Sequence, residues 1–234
     1  MKKYLKIIPF VAVMFLGTII HAEVYDQIIP STKEHPYIIY YNYKYKEPVK
    51  VQYTIFDENT NKLNITKRPG FRSDKKIPKK YRSYTSDYTH SGYDRGHMAP
   101  DALFDYNQTV LKNVYIMSNI TPQLPNLNRK VWKYLEAYVR YQVIIYKKLK
   151  IENYIFFEEP IKRIGKHKIA VPTKFLKTII YLDKDMECYL FLNNENSLFN
   201  KDPINYKISN ELCNFYRKTL YKNKTNTELK EPLW

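Results

Sequence analysis

YDRGHMAPDA, residues 93–102, carries one of only five histidines in a chain of 234 residues, and its reading decides the fold. An acid, a base, a glycine and a histidine stand in a row, and Pro100 ends regular structure just after them. Side chains alternate along an extended segment. Arg95 and His97 are therefore expected on one side and Asp94 on the other. Imidazole titrates near neutrality, so His97 suits the role of general base, with Arg95 placed to grip an adjacent phosphate. Asp94 is expected to be structural, pairing with backbone or another charge. Gly96 permits a close approach.

Working outward, YIIYYNYKY (37–45) and VKVQYTIFD (49–57) are rich in β-formers and read as a hairpin. Residues 58–92 are polar and read as a long surface connection. VYIMSN (114–119) is a short strand candidate. NLNRKVWKYLEAYVRYQVIIY is the clearest helix, with Asn126 as its N-cap. Its expected apolar face is Leu127, Val131, Leu135, Tyr138, Tyr141 and Ile145. Strands are expected within 153–157, 168–182 and 187–194, and a closing amphipathic helix at 208–220. Strands and helices mix without a βαβ rhythm or a Gly-rich phosphate loop. The fold class is therefore α+β, with a central, largely antiparallel sheet flanked by helices.

Residues 1–22 read as a signal peptide. Lys2, Lys3 and Lys6 precede the apolar run 7–20, and Ala22 offers a cleavage point, leaving 23–234 as one domain. No later stretch is apolar for long enough to cross a membrane. The expected product is exported, periplasmic or secreted. The leader's three lysines account for 3 of the net +16, which leaves +13 on the remainder. Such a body is drawn to polyanions, and charge alone does not choose among them. The 24 tyrosines are spread along the chain and read as composition rather than as a base-stacking surface. Cys188 and Cys213 could close one disulfide in an oxidising compartment or remain buried thiols; two cysteines and few histidines do not make a zinc cluster.

DRGHM with the small residue Ala102 beyond it resembles the signature of the DNA/RNA non-specific endonucleases, the ββα-metal nucleases. A second block, SNITPQLPNLNRKVWKYLE (118–136), is similar to that family's turn and helix, in which an Asn is followed eight residues later by a Glu. RPGFRSD (68–74) resembles its arginine-bearing segment, and PTKFLK (172–177) its later sheet. The resemblance implies a ββα-metal fold and a Mg²⁺ (or Mn²⁺) ion ligated by Asn128. His97 would be the general base and Arg95 would assist at the phosphate. Asn119 would hydrogen-bond within the site, and Glu136 would hold metal-bound water. Of the two arginines in the upstream segment, Arg72 is preferred over Arg68. DNA and RNA are the implied substrates, cut to 5′-phosphate ends. Some relatives are dimers, but nothing in the sequence marks a homodimer face or an inhibitor site. Where relatives often carry a glycine after the strand matching NYIFF, this chain continues Glu158-Glu159-Pro160. Trp132 reads as packing. The rival reading is a non-catalytic cationic protein that binds or takes up nucleic acid on the same fold.

Overall fold

The structure is a computed structural model; it describes residues 25–60, 65–182, 186–194 and 202–219, so the leader lies outside the described residues. The expected hairpin forms from two runs rich in β-branched and aromatic residues. After a short strand β1 (Gln27–Ile29), β2 (Tyr37–Asn42) pairs antiparallel with β3 (Glu47–Phe56). One turn of helix, α1 (Asp57–Thr60), leads toward the connection to the DRGH strand, β4 (Asp94–His97). That connection is more than surface: Ile77, Ser83, Asp87 and Tyr88 within it are buried. Helix α2 (Gln108–Val114) follows, capped by Asn107, whose Oδ1 accepts from the Thr109 and Val110 amides. The strand expected at 114–119 is not formed. Those residues finish α2 and make a tight helical turn, and the strand β5 (Ile120–Gln123) comes just afterwards. A continuous apolar run buried on every side carries no period to tell strand from helix.

The long helix enters through a π-type turn, Leu127–Trp132, and continues as α3 (Lys133–Tyr146). Asn126 is not its cap; it already has helical φ and ψ and makes no capping bond, and helical geometry starts at Pro125. The buried stripe is Leu127, Val131, Leu135, Val139 and Val143, whereas Tyr141 (62% exposed) and Ile145 (50%) face outward. The chain then adds β6 (Lys148–Phe156), the small pair β7 (Arg163–Ile164) and β8 (Ile169–Ala170), β9 (Lys174–Tyr181), β10 (Glu187–Leu192), β11 (Lys207–Ile208) and α4 (Asn210–Thr219).

Seven strands form one sheet in the order β1-β2-β3-β6-β9-β10-β11, with every neighbour antiparallel. Its inner face (Val51, Tyr53, Ile151, Ile155, Phe175, Ile179) packs on the α3 stripe and Trp132 to form the main core. The opposite face takes α4, tied to β10 by the Cys188–Cys213 disulfide. β4 and β5 form a separate ribbon beside the entry of the long helix, which supplies the ββα unit. Among the described residues no helix is long and apolar enough to cross a membrane.

Candidate active site

The β4–β5 ribbon sets Asp94 opposite Gln123, Arg95 opposite Pro122, Gly96 opposite Thr121 and His97 opposite Ile120. Gly96 is obligatory for a side-chain reason. A Cβ there would lie 2.0 Å from Gln123 Oε1 and 2.7 Å from its Cγ, so the buried glutamine occupies the space a side chain would need. Alternation then sorts the neighbours. The His97 ring lies 5.3 Å from the ring of Phe71, and the Arg95 guanidinium sits 4.9 Å from the same ring. One aromatic plate thus holds the base and the cation on one side of the strand. Tyr115 meets the imidazole edge-on at 4.8 Å and donates its hydroxyl to Asp101 at 2.7 Å. Arg68 pairs with Asp101 (3.1 Å) and Asp105 (3.0 Å). Burial lowers the His97 imidazole to a pKa of about 4; Asp101 opposes that shift and Arg68 adds to it. The ring is therefore an uncharged base at neutral pH, and its buried Nε2 has no protein hydrogen-bond partner.

Asp94 turns to the other side and reaches the π-type turn. Its carboxylate accepts two bonds from Arg129 (2.6 and 2.7 Å) and one from Asn128 Nδ2 (3.0 Å). Because the NH₂ of Asn128 is engaged there, its carbonyl oxygen is directed away from the carboxylate. An amide oxygen of this kind is what a hard divalent cation takes. Among the described residues no group of three or more His, Cys, Asp and Glu side chains could hold a metal ion, so a cation here would rest on that amide and on water. A π turn widens the helix by one residue, and such turns recur at functional sites. It also alters the Asn128-to-Glu136 offset from that of a straight α-helix.

One side of Glu136 meets the sheet. Burial raises its pKa to about 7, Lys177 works against the shift and Asp101 adds to it. Lys177, on β9, is 0% exposed, and its Nζ stands 4.2 Å from the Trp132 ring centroid with no hydrogen-bond partner. Burial pushes this ammonium down to about 8, and Glu136 opposes the shift. Around these groups the buried polar atoms Thr121 Oγ1, the Gln123 amide and Asn153 Oδ1 also lack protein partners, while Trp132 lies near enough to Glu136 to favour its charged form. Buried polar groups are ordinarily satisfied, so a concentration of unsatisfied ones marks a place built for ligand, ion or water.

Residues 21–228 match the profile of the DNA/RNA non-specific endonucleases. The chain belongs to that family. It is 32% identical over 124 residues to human mitochondrial endonuclease G and 34% identical over 158 residues to the mitochondrial nuclease of Saccharomyces cerevisiae. A nuclease of Nostoc is 37% identical over 126 residues. The matches cover 47%, 62% and 51% of this chain, but only 40%, 48% and 43% of those relatives, so the chain spans less than half their length. A crystal structure of an EndoG/EndoGI complex superposes with a TM-score of 0.71 at 26% identity, covering 83% of this chain and 84% of that one. The fold is the ββα-metal nuclease fold.

Within this endonuclease framework the expected residues fall into three groups. Arg95 and His97 lie on the same ribbon strand as Asp94, which holds Asn128 at the helix entry, and Glu136, farther along the helix, shares Asp101 with His97 as an electrostatic neighbour. Asn119 is fully buried and wholly engaged with backbone. Its Oδ1 accepts from the Ala99 amide, and its Nδ2 donates to Ala99 O and Val114 O, fixing the turn just past His97. Arg72 does not join the site. Its guanidinium donates to Lys112 O and Asn113 Oδ1 on the opposite side of the segment from Phe71. Phe71 takes the place facing His97 and its neighbour Arg72 turns away; Arg68 is the arginine whose charge His97 feels, placed by its ion pairs with Asp101 and Asp105. Trp132 is packing, 1% exposed and edge-on to Phe175 and Phe191. The acidic stretch at 158–159 is partnered, Glu158 by Lys174 and Glu159 by Lys44 (3.8 Å). Sequence reasoning missed Lys177, which shares its side of the strand with the core residues Phe175 and Ile179. It also missed the specific Asp94–Asn128 contact.

Proposed function

We propose that this chain is an exported, metal-dependent endonuclease that hydrolyses phosphodiesters in DNA and RNA. The observation that carries the reading is the two-sided use of β4: His97 and Arg95 share the Phe71 plate, while Asp94 of the same strand grips Asn128. His97 Nε2, uncharged at neutral pH, accepts a proton from water as its oxygen attacks phosphorus in line. Arg95 pairs with a non-bridging phosphate oxygen, and Glu136 orders water on the leaving-group side. The P–O3′ bond breaks, the departing oxygen takes a proton from the water that Glu136 orders, and a 5′-phosphate and a 3′-hydroxyl are left. A hard cation such as Mg²⁺ on Asn128 Oδ1 would balance the charge that develops on the phosphoryl and leaving oxygens. These contacts address phosphate and sugar, which carry no base information, and this accounts for sequence indifference.

Export is supported by the leader pattern and by the Cys188–Cys213 bridge, since disulfides persist in oxidising compartments. The test incubates the mature protein with plasmid and with RNA, with Mg²⁺ or Mn²⁺ and then with excess chelator, and repeats this with His97→Ala. Cleavage that needs the ion and the histidine is expected, with 5′-phosphate ends accepted directly by ligase. Binding without cleavage would instead identify a nucleic-acid-binding or uptake protein.

A further inference from the structure

Arg72 raises a question once it is excluded from the site. Its guanidinium is held by two neutral acceptors, Lys112 O and Asn113 Oδ1, so no carboxylate hydrogen-bonds it. It stands on the wall of a cavity of about 550 Å³ between the β1–β2 loop, the 72–76 segment and the end of α2. Lys75 and Lys76 line the same cavity with exposed side chains, and their carbonyls are pinned, by Arg82 and Gln27 respectively. His35 forms part of the lining and is 4% exposed. Neither ring nitrogen makes a well-aligned hydrogen bond, although backbone of Tyr37 and of His35 itself lies near, and the ring is fixed at 3.8 Å from Tyr37. The backbone around His35 is closed by reciprocal bonds with Thr32, and Asn113 Nδ2 holds Glu34 O at 2.6 Å, so this wall is built in place.

Of the two carboxylates present, Asp74 has both oxygens engaged, one by Ser118 Oγ (2.6 Å) and one by the Lys76 amide (2.8 Å). Glu34 is exposed and accepts from Thr32 Oγ1. What remains turned toward the cavity is three cations and a buried imidazole that can donate one N–H. That set matches a phosphate group, with the guanidinium offering planar donors and the imidazole a neutral one. Phe71 faces His97 and its neighbour Arg72 faces the cavity, so the two places lie on opposite sides of one extended segment.

We propose that this cavity is a second phosphate subsite, which holds a backbone phosphate of the nucleic acid remote from the bond being cut. The assignment of the occupant rests on the nuclease reading above; the phosphate chemistry of the cavity does not. The test uses the mature chain and the double variant Lys75→Gln/Lys76→Gln, whose exposed positions leave folding unaffected. First, inorganic phosphate is titrated while the His35 ring resonances are followed by NMR. They are expected to shift in the parent and to shift at several-fold higher phosphate in the variant.

Second, binding of a duplex long enough to reach both places is measured in chelator, so that it does not depend on turnover. The variant should bind more weakly whatever the sequence, with a log–log salt slope shallower by about 1 for each phosphate no longer neutralised. Third, KM for plasmid should rise several-fold with kcat unchanged, while turnover of bis(p-nitrophenyl) phosphate, too small to span both places, stays at the parent level. Unmoved His35 resonances would overturn the subsite. Resonances that move with phosphate beside an unchanged duplex affinity and salt slope would overturn its assignment to nucleic acid. A parent that cuts no substrate, yet shows the first two results, would sink the nuclease reading and leave the phosphate subsite standing.

Discussion

The two faces of the main sheet each meet a glutamate among basic residues, Glu152 buried and Glu136 half-buried, and they treat it in opposite ways. On the α4 face, Glu152 receives Lys50 at 3.1 Å, the Tyr154 hydroxyl at 2.7 Å and Arg217 at 2.9 Å. Burial alone would raise its pKa, but these partners hold it down at about 2. On the α3 face, Glu136 has Lys177 near it without a hydrogen bond to the ammonium, and its pKa rises to about 7. The first cluster is closed: charge meets charge and the oxygens are occupied. The second is open, with His97, Thr121, Gln123 and Asn153 also presenting unsatisfied atoms. A satisfied network stabilises a fold, whereas perturbed and unsatisfied groups gathered in one place mark where chemistry is done.

The largest separation between the faces should come from His97→Ala. Removing the proposed base is expected to lower kcat on plasmid by about 10²–10⁴-fold. The urea unfolding midpoint should move little, because the ring's Nε2 has no protein hydrogen bond to lose. Glu152→Ala should do the reverse. Removing the carboxylate that Lys50 and Arg217 share breaks a buried ion pair and should destabilise the chain by about 3–5 kcal/mol, with kcat for the remaining folded protein near the parent value. If Glu152→Ala abolished turnover at full stability, the division between the faces would be false.

Acid should act on the two faces in sequence. His97, and His35 in the neighbouring cavity, are both lowered to about 4 in the folded chain. Unfolded histidines titrate near 6.5, so between these values the unfolded state binds more protons and stability falls as pH drops. The slope approaches about 1.4 kcal/mol per pH unit for each histidine. Glu152 follows the same sign in a lower window: its contribution is intact above the unfolded value of 4.5 and is lost as pH falls toward 2. Urea melts at pH 7, 5.5 and 4 should show the first loss, and His97→Gln should remove its share. A flat response down to pH 4 would contradict the buried, uncharged state of both rings.

Asp94→Ala tests the reach between β4 and the π turn. Losing an outer support of a metal ligand typically costs about 10–100-fold in affinity. Mn²⁺ binding followed by electron paramagnetic resonance should weaken by that order, and excess Mn²⁺ should restore part of the rate.

Which of these groups could be read from sequence follows from period and parity. Strands such as Tyr37–Asn42 and Lys174–Tyr181 are rich in β-formers, so their existence was legible, and so was the sharing of one side by Arg95 and His97. The two blocks of motif residues lie in order along the chain, and they named Asn128 and Glu136. Three features were not legible. Neighbouring residues in RPGFRSD have opposite directions, and nothing local says that Phe71 rather than Arg72 turns inward. The π turn leaves no mark in an apolar spacing that tolerates one extra residue. The run 114–119 is buried without alternation, so its helical turn looked like a strand. The distinction between a closed and an open glutamate is a matter of which side chains arrive from distant strands, and local pattern does not encode it.

Lys177→Met gives the smallest expected effect and the sharpest test of that distinction. The substitution keeps length and apolar bulk under Trp132 and removes only the charge. Lys177 is the group that pulls the Glu136 pKa downward, so its loss should raise the pH at which that carboxylate ionises. The acid limb of the kcat/KM profile should move to higher pH, with the plateau rate within a few-fold of the parent. Thermal stability should hold or rise, because a buried cation without a hydrogen-bond partner pays its desolvation for little in return. Lys50→Met on the other face should instead lower stability and leave the profile unmoved, since Lys50 bonds directly to Glu152. If both variants merely lost stability and neither moved the profile, Lys177 would be one more structural lysine and the two faces would differ only in how tightly they are packed.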